Sequence, residues 1–181
     1  MNNKLLGAFA IVCAPFLYIN FLTSNPNDQS WDTGLYGFIY MAGWMASVYA
    51  LRQGGFLGTT KFSRIAFIVQ MTLLSLAQVW NIWVMIGPSD HILFHITDAC
   101  WPLSNIWMLV MGIHVLVTKQ LTGWKRYVPL FVGLWFPLTV IPAMTAGIFW
   151  LAGPYSLVAF VLLGLVVFTS PPKESLAYVR A

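Results

Sequence analysis

Of 181 residues, 59% are hydrophobic and 8% are charged, against about 25% charged in ordinary soluble domains. A water-soluble fold of this length has no way to hide that much apolar surface. The net charge of +4 raises the question of a nucleic-acid partner, but the nine Lys and Arg residues are spread over loops and form no aromatic-interleaved patch, which argues against one.

The composition predicts an all-α polytopic membrane protein. Six apolar runs fit as spans, near residues 5–22, 34–51, 65–86, 98–117, 127–149 and 155–168, forming one six-helix domain over residues 1–181. Each is taken as one crossing of a hydrocarbon core about 30 Å thick. Continuous apolar runs lack the alternation of barrel strands, so helices are expected.

The first run resembles a signal peptide, with Lys4 ahead of an apolar stretch. No clean small-x-small site follows it, and Ala10-Ile11-Val12 ahead of Cys13 does not suit a lipoprotein site. It reads as a retained span, with Pro15, Tyr18 and Asn20 toward its outer end. The loop that follows carries the turn signal Asn25-Pro26-Asn27-Asp28.

The second run places Tyr36, Tyr40 and Trp44 on one helix face, with Gly37 and Gly43 available for close helix approach. The third has no charge but carries Gln70, Gln78 and Asn81 within about 80° of one another. Polar side chains avoid lipid and seek partners inside a bundle. Trp80 and Trp83 lie off that stripe, toward the outer interface.

The stretch from His91 to His114 holds all three histidines. After the breaker pair Gly87-Pro88, Ser89 is a candidate cap for a helix running into the fourth span. On such a helix His91, His95, Asp98, Pro102, Asn105 and Gly112 fall on one stripe, expected to look inward, with Trp101 beside it. Asn105 lies about 10 Å inward of Asp98, and Asn81 a similar distance below its own outer end, so the two asparagines are expected to meet. The fifth run contains Pro129, Pro137 and Pro142, two of them internal and helix-breaking, with Thr139 and Thr145 nearby. The sixth is almost featureless and is expected to face lipid or a partner.

Charge sets orientation. With the N-terminus inside, all nine basic residues fall on the inner side: Lys4, Arg52, Lys61, Arg64, Lys119, Lys125, Arg126, Lys173 and Arg180. Asp28, Asp32, Asp90 and Asp98 fall outside, and only Glu174 inside. Both termini are therefore expected to be cytoplasmic. Spans two–three and four–five share a plan, but their residues match no better than chance, which gives no support for a repeat-built transporter.

Together these features predict an outward-facing polar and aromatic pocket of Tyr36, Tyr40, Gln78, Asn81, Asp98, Trp101 and Asn105, suited to small-ligand binding or a transport-like role. One alternative is a structural or regulatory subunit of a larger membrane complex or homo-oligomer, which needs no pocket. A second is a membrane-embedded enzyme with a divalent metal on His91, His95 and Asp98, completed by Asp28 or Asp32. Haem is not supported, because His95 and His114 stand about 28 Å apart on a continuous helix. His114 reads instead as a hydrogen-bonded packing residue. Retinal is not supported either, since no span contains a lysine. Cys13 and Cys100 lie at different depths, which argues against a disulfide. No phosphate loop, Ser-His-Asp order or zinc-protease motif is present.

Overall fold

The computed structural model describes residues 2–23, 29–87, 89–147 and 149–170. The turn at Asn25–Asp28, Pro88, Lys173, Glu174 and Arg180 lie outside the described residues. Among the described residues the chain is helical throughout, with no strand. The helices are α1 (Asn3–Cys13), α2 (Pro15–Thr23), α3 (Trp31–Gln53), α4 (Lys61–Ile86), α5 (Ile92–Thr118), α6 (Val128–Trp135), α7 (Ile141–Ala146) and α8 (Ala152–Thr169).

Five helical segments are long and apolar enough to cross a membrane: Asn3–Thr23, Lys61–Ile86, Ile92–Thr118, Gly123–Ala143 and Ala152–Thr169. The expected second span is a helix of 23 residues, α3, which is long enough but less apolar. Its Asp32, Arg52, glycines and tyrosines dilute the apolar character.

Local chemistry explains most boundaries. Ser30 caps α3 and Thr60 caps α4, each hydroxyl accepting a backbone N–H three residues on. The first span is interrupted at Ala14, where Pro15 has no N–H to donate, yet Ala14 keeps helical angles and the segment continues. The start of α5 departs from expectation. His91, rather than Ser89, is the cap, its Nδ1 accepting from the Leu93 N–H at 3.2 Å, while Ser89 Oγ accepts from the His91 N–H. The helix therefore begins six positions before the expected span.

The fifth span is in pieces. A 3-10 turn (Gly123–Tyr127) leads into α6, a π-helical turn (Phe136–Val140) follows, and α7 completes it. Pro137 and Pro142 sit early in the last two pieces, where their missing N–H groups force the change of pitch. Thr139 Oγ1 donates to the Trp135 carbonyl at 2.6 Å.

Neighbouring helices touch in the order α1, α3, α4, α5, α6, α8, and α8 returns to α1. α3 also touches α8 across this ring, which leaves a five-helix group of α3, α4, α5, α6 and α8. Five helices packed about 8–10 Å apart surround a gap wider than a pairwise contact, so large side chains must fill it. Tyr40, Trp44, Trp101, Trp135 and Phe160 do so, in a chain of ring contacts between 5.1 and 6.4 Å. Trp135 Nε1 donates to the Ala152 carbonyl at 2.8 Å, tying α6 to the start of α8.

Two expectations are corrected by this packing. α8 does not have a mainly lipid-facing role: Ala152, Gly153, Ser156, Ala159, Phe160, Leu163, Gly164, Val166 and Val167 are buried, and it packs on α1, α2, α3 and α6. Its small residues let the neighbouring backbones come close. The second concerns the neighbours of Gly112, which is buried as the inward stripe required but packs in the α5–α6 seam and not among polar groups. A Cβ on Gly112 would meet the Leu130 backbone, and one on Gly133 would meet the Leu109 backbone.

Candidate functional site

The seven expected pocket residues fall into three places. The first is the α3–α4 seam. Gln78 Nε2 donates to the Phe38 carbonyl at 3.1 Å, and Asn81 Nδ2 donates to Gln78 Oε1 at 2.9 Å. Asn81 also lies 3.8 Å from Met41 Sδ and is 2% exposed. Gly37 makes this possible, because a Cβ there would collide with the Asn81 carboxamide. The sequence signal was sound here: glycine on α3 and a polar stripe on α4.

The second place is the centre of the five-helix group. Trp101 Nε1 donates to Tyr40 Oη at 2.6 Å, joining α5 to α3. Trp101 also packs edge-on against Trp135 and Phe136. One turn further along α5, Asn105 is fully buried and its Nδ2 donates to the Trp101 carbonyl at 2.9 Å. Ser104 Oγ donates to the same carbonyl.

The third place is the end of the bundle. His91, His95 and Asp98 are all exposed, on the outer turns of α5. The buried face there is formed by Phe94, Thr97 and Cys100 instead. The stripe expected to look inward therefore turns out of the bundle above Trp101. His95 joins Gln29, Ser89, Asp90 and Phe94 in lining an open cleft of about 240 Å³. Tyr36 makes its ring contact with Phe16 of α2, at 6.1 Å.

Asn81 and Asn105 do not stand at one depth. Trp83 meets Phe94 at 5.7 Å near one end of the α4–α5 pair, and Ser63 Oγ lies 3.0 Å from His114 Nε2 near the other. These contacts set the antiparallel register. Asn81 faces the first turns of α5, and the level of Asn105 falls between Gln70 and Leu74 on the buried face of α4. The physical reason is that the outer end of α4 pairs with the His91 end of α5, whereas the expected depths were counted from Asp98, so every α5 side chain lies deeper relative to α4 than expected.

Gln70 is fully buried, and neither of its side-chain polar atoms has a protein partner. The same holds for Asn105 Oδ1 and Trp44 Nε1. Both Gln70 and Trp44 lie on stripes visible in the sequence. Their joint importance was not visible, because it depends on register between helices.

The remaining readings resolve as follows. His114 is a packing residue bonded to Ser63, with the Phe62 ring at 4.8 Å. Cys13 and Cys100 are free and buried. Trp80 and Trp83 pack against Phe94. Among the described residues, no three His, Cys, Asp or Glu side chains gather as a metal site. Asp28, suggested as a completing ligand, lies outside the described residues.

Fold and seams together define a class: an all-helical chain whose five long apolar segments suit it to a membrane. Comparison with known proteins finds no matching family model, no matching curated protein and no matching solved structure.

Proposed function

We propose that the chain is a six-span integral membrane protein, with both termini cytoplasmic, that takes up a small polar ligand from the outer side. α3 supplies the sixth span. Its ends carry Asp32 and Arg52, charges that suit headgroup depth, and 10 of its residues are buried among the other helices. Among the described residues, alternating helix directions gather Lys4, Arg52, Lys61, Arg64, Lys119, Lys125 and Arg126 at one end of the bundle. Asp32, Asp90 and Asp98 gather at the other. That asymmetry supports the basic end as cytoplasmic.

The observation that carries the ligand reading is the polar seam in the outer half of the bundle. Gln78, Asn81, Tyr40 and Trp101 place hydrogen-bonding groups on three helices where lipid-facing sequence would have none. Such groups are retained inside membranes where something is recognised or passed. The exposed His91, His95 and Asp98 form the polar mouth in this reading, beside the open cleft. The Tyr40–Trp101 bond closes the way inward.

Accessibility tests this. In a Cys13→Ala/Cys100→Ala background reconstituted in liposomes, Asp98→Cys, Asn81→Cys and Gln78→Cys are each exposed to a small membrane-impermeant thiol reagent from outside. All three are expected to react, at rates falling with depth. Reaction at Asp98→Cys alone would mean that the seam is sealed structure and not a pocket.

A further inference from the structure

Three buried polar side chains of the five-helix group lie inward of the outer seam. Gln70 on α4 and Asn105 on α5 are both at 0% exposure, and Trp44 on α3 is at 1%. Four atoms on these side chains lack a protein partner: both polar atoms of Gln70, Asn105 Oδ1 and Trp44 Nε1.

They share one level. Tyr40 and Trp101 are hydrogen-bonded, and Trp44 and Asn105 each follow by four residues on parallel helices, so both lie one turn, about 6 Å, inward. The α4–α5 register, fixed by Trp83–Phe94 and Ser63–His114, puts Gln70 within two residues, about 3 Å, of the level of Asn105. The α3–α4 register agrees, since Gln78 bonds the Phe38 carbonyl and Gln70 lies two turns further inward, within about one turn of Trp44. Each of the three side chains belongs to the buried face of its helix.

Buried polar groups almost always have a hydrogen-bond partner, and where protein supplies none, ordered water or a ligand does. Three unpaired groups on three helices at one level are not an isolated packing fault. We infer that Trp44, Gln70 and Asn105 form a binding site, halfway through the bundle, for a small neutral molecule that both donates and accepts hydrogen bonds.

The chemistry sets the ligand class. Trp44 Nε1 only donates, Asn105 Oδ1 only accepts, and the Gln70 carboxamide does both. An anion would meet Asn105 Oδ1 and Gln70 Oε1, and a cation would meet the two N–H donors. Among the described residues no buried side chain is charged, so nothing at this depth offsets an ion. Water satisfies the pattern, and so does a compact solute such as urea. The Tyr40–Trp101 pair separates this site from the outer seam. Its occupancy does not require that seam to open during a ligand's uptake, so the site goes beyond the pocket proposed above.

The test reads the Trp44 indole N–H by NMR in lipid nanodiscs, with full-length protein carrying 15N-tryptophan and the signal assigned by Trp44→Phe. One arm measures cross-relaxation between this proton and water. The other titrates urea and follows the indole shift. A water cross-peak, diminished at least several-fold in Gln70→Leu, is expected if water occupies the site. A saturable urea-dependent shift, absent in Gln70→Leu, identifies a solute site. If the wild-type signal shows neither, the inference is overturned, whether or not Gln70→Leu folds. A higher melting temperature for Gln70→Leu would then mark the glutamine as a dry, unpaired group. Sealing of the outer seam in the thiol experiment leaves the water readout intact, so the two proposals fail separately.

Discussion

At the scale of single residues, the hydrogen bond between Trp101 and Tyr40 decides how α3 and α5 face one another. Both groups are neutral, and Tyr40 is 2% exposed. Removing one partner leaves the other unsatisfied, whereas removing both can be nearly neutral. Tyr40→Phe is therefore expected to lose about 1–3 kcal/mol, because the indole N–H is stranded. In Tyr40→Phe/Trp101→Phe the loss assignable to this bond should largely disappear, leaving the packing cost of the smaller ring. A double-mutant cycle on detergent unfolding measures the coupling, and additive effects would mean that the 2.6 Å contact carries no stabilisation of its own. The aromatic pattern on α3 was legible as a stripe. Its hydrogen-bond partner on α5 was not, because no local rule links residues 61 positions apart.

Between elements, small residues matter more than apolar area, since lipid is as apolar as leucine and gives helices little reason to associate. The α5–α6 seam shows the consequence. A methyl on Gly112 would run into backbone atoms of Leu130 and Pro129, which cannot rotate aside as a side chain can. Gly112→Ala is expected to cost about 1–3 kcal/mol by forcing α5 and α6 apart. Ile113→Ala, one position on but 49% exposed, should stay within about 0.5 kcal/mol. Unfolding of both variants in the same detergent checks the contrast. The glycines were visible in sequence, and Gly112 is buried as the inward stripe required, but its neighbour on α6 was not visible. Periodicity placed it with His91 and Asp98 on a straight stripe, whereas contacts turn along α5 as it crosses its neighbours. The same turning explains why His95 and Asp98 are exposed while Asn105 is fully buried.

For the whole molecule, the expected topology rests on alternating helices and on the segregation of charge between the two ends. Thr122 lies in the exposed loop beyond α5, at the basic end, and Asp90 is exposed at the other. In the cysteine-free background, Thr122→Cys should react with an impermeant thiol reagent only after the membrane is opened, and Asp90→Cys without opening. Labelling of both from one side would break the six-span arrangement, because an even number of crossings between them would then be required.

The sequence by itself determined the helical class, the approximate positions of the apolar segments and the polar identity of α4 and α5. These follow from composition and local periodicity, which act within one helix and need no knowledge of its neighbours. It also located the breaks around Pro137 and Pro142, because a missing N–H is a local defect. Only the tertiary structure decided that α8 is a core helix, that the histidine stripe leaves the bundle above Trp101, and that Asn105 stands nearer the level of Gln70 than that of Asn81. Those outcomes turn on helix order and on register between helices. A register shifted by six residues moves the facing side chain about 9 Å along the axis. Polar residues thus marked the helices that carry buried hydrogen-bonding groups, and packing alone chose which of those groups meet.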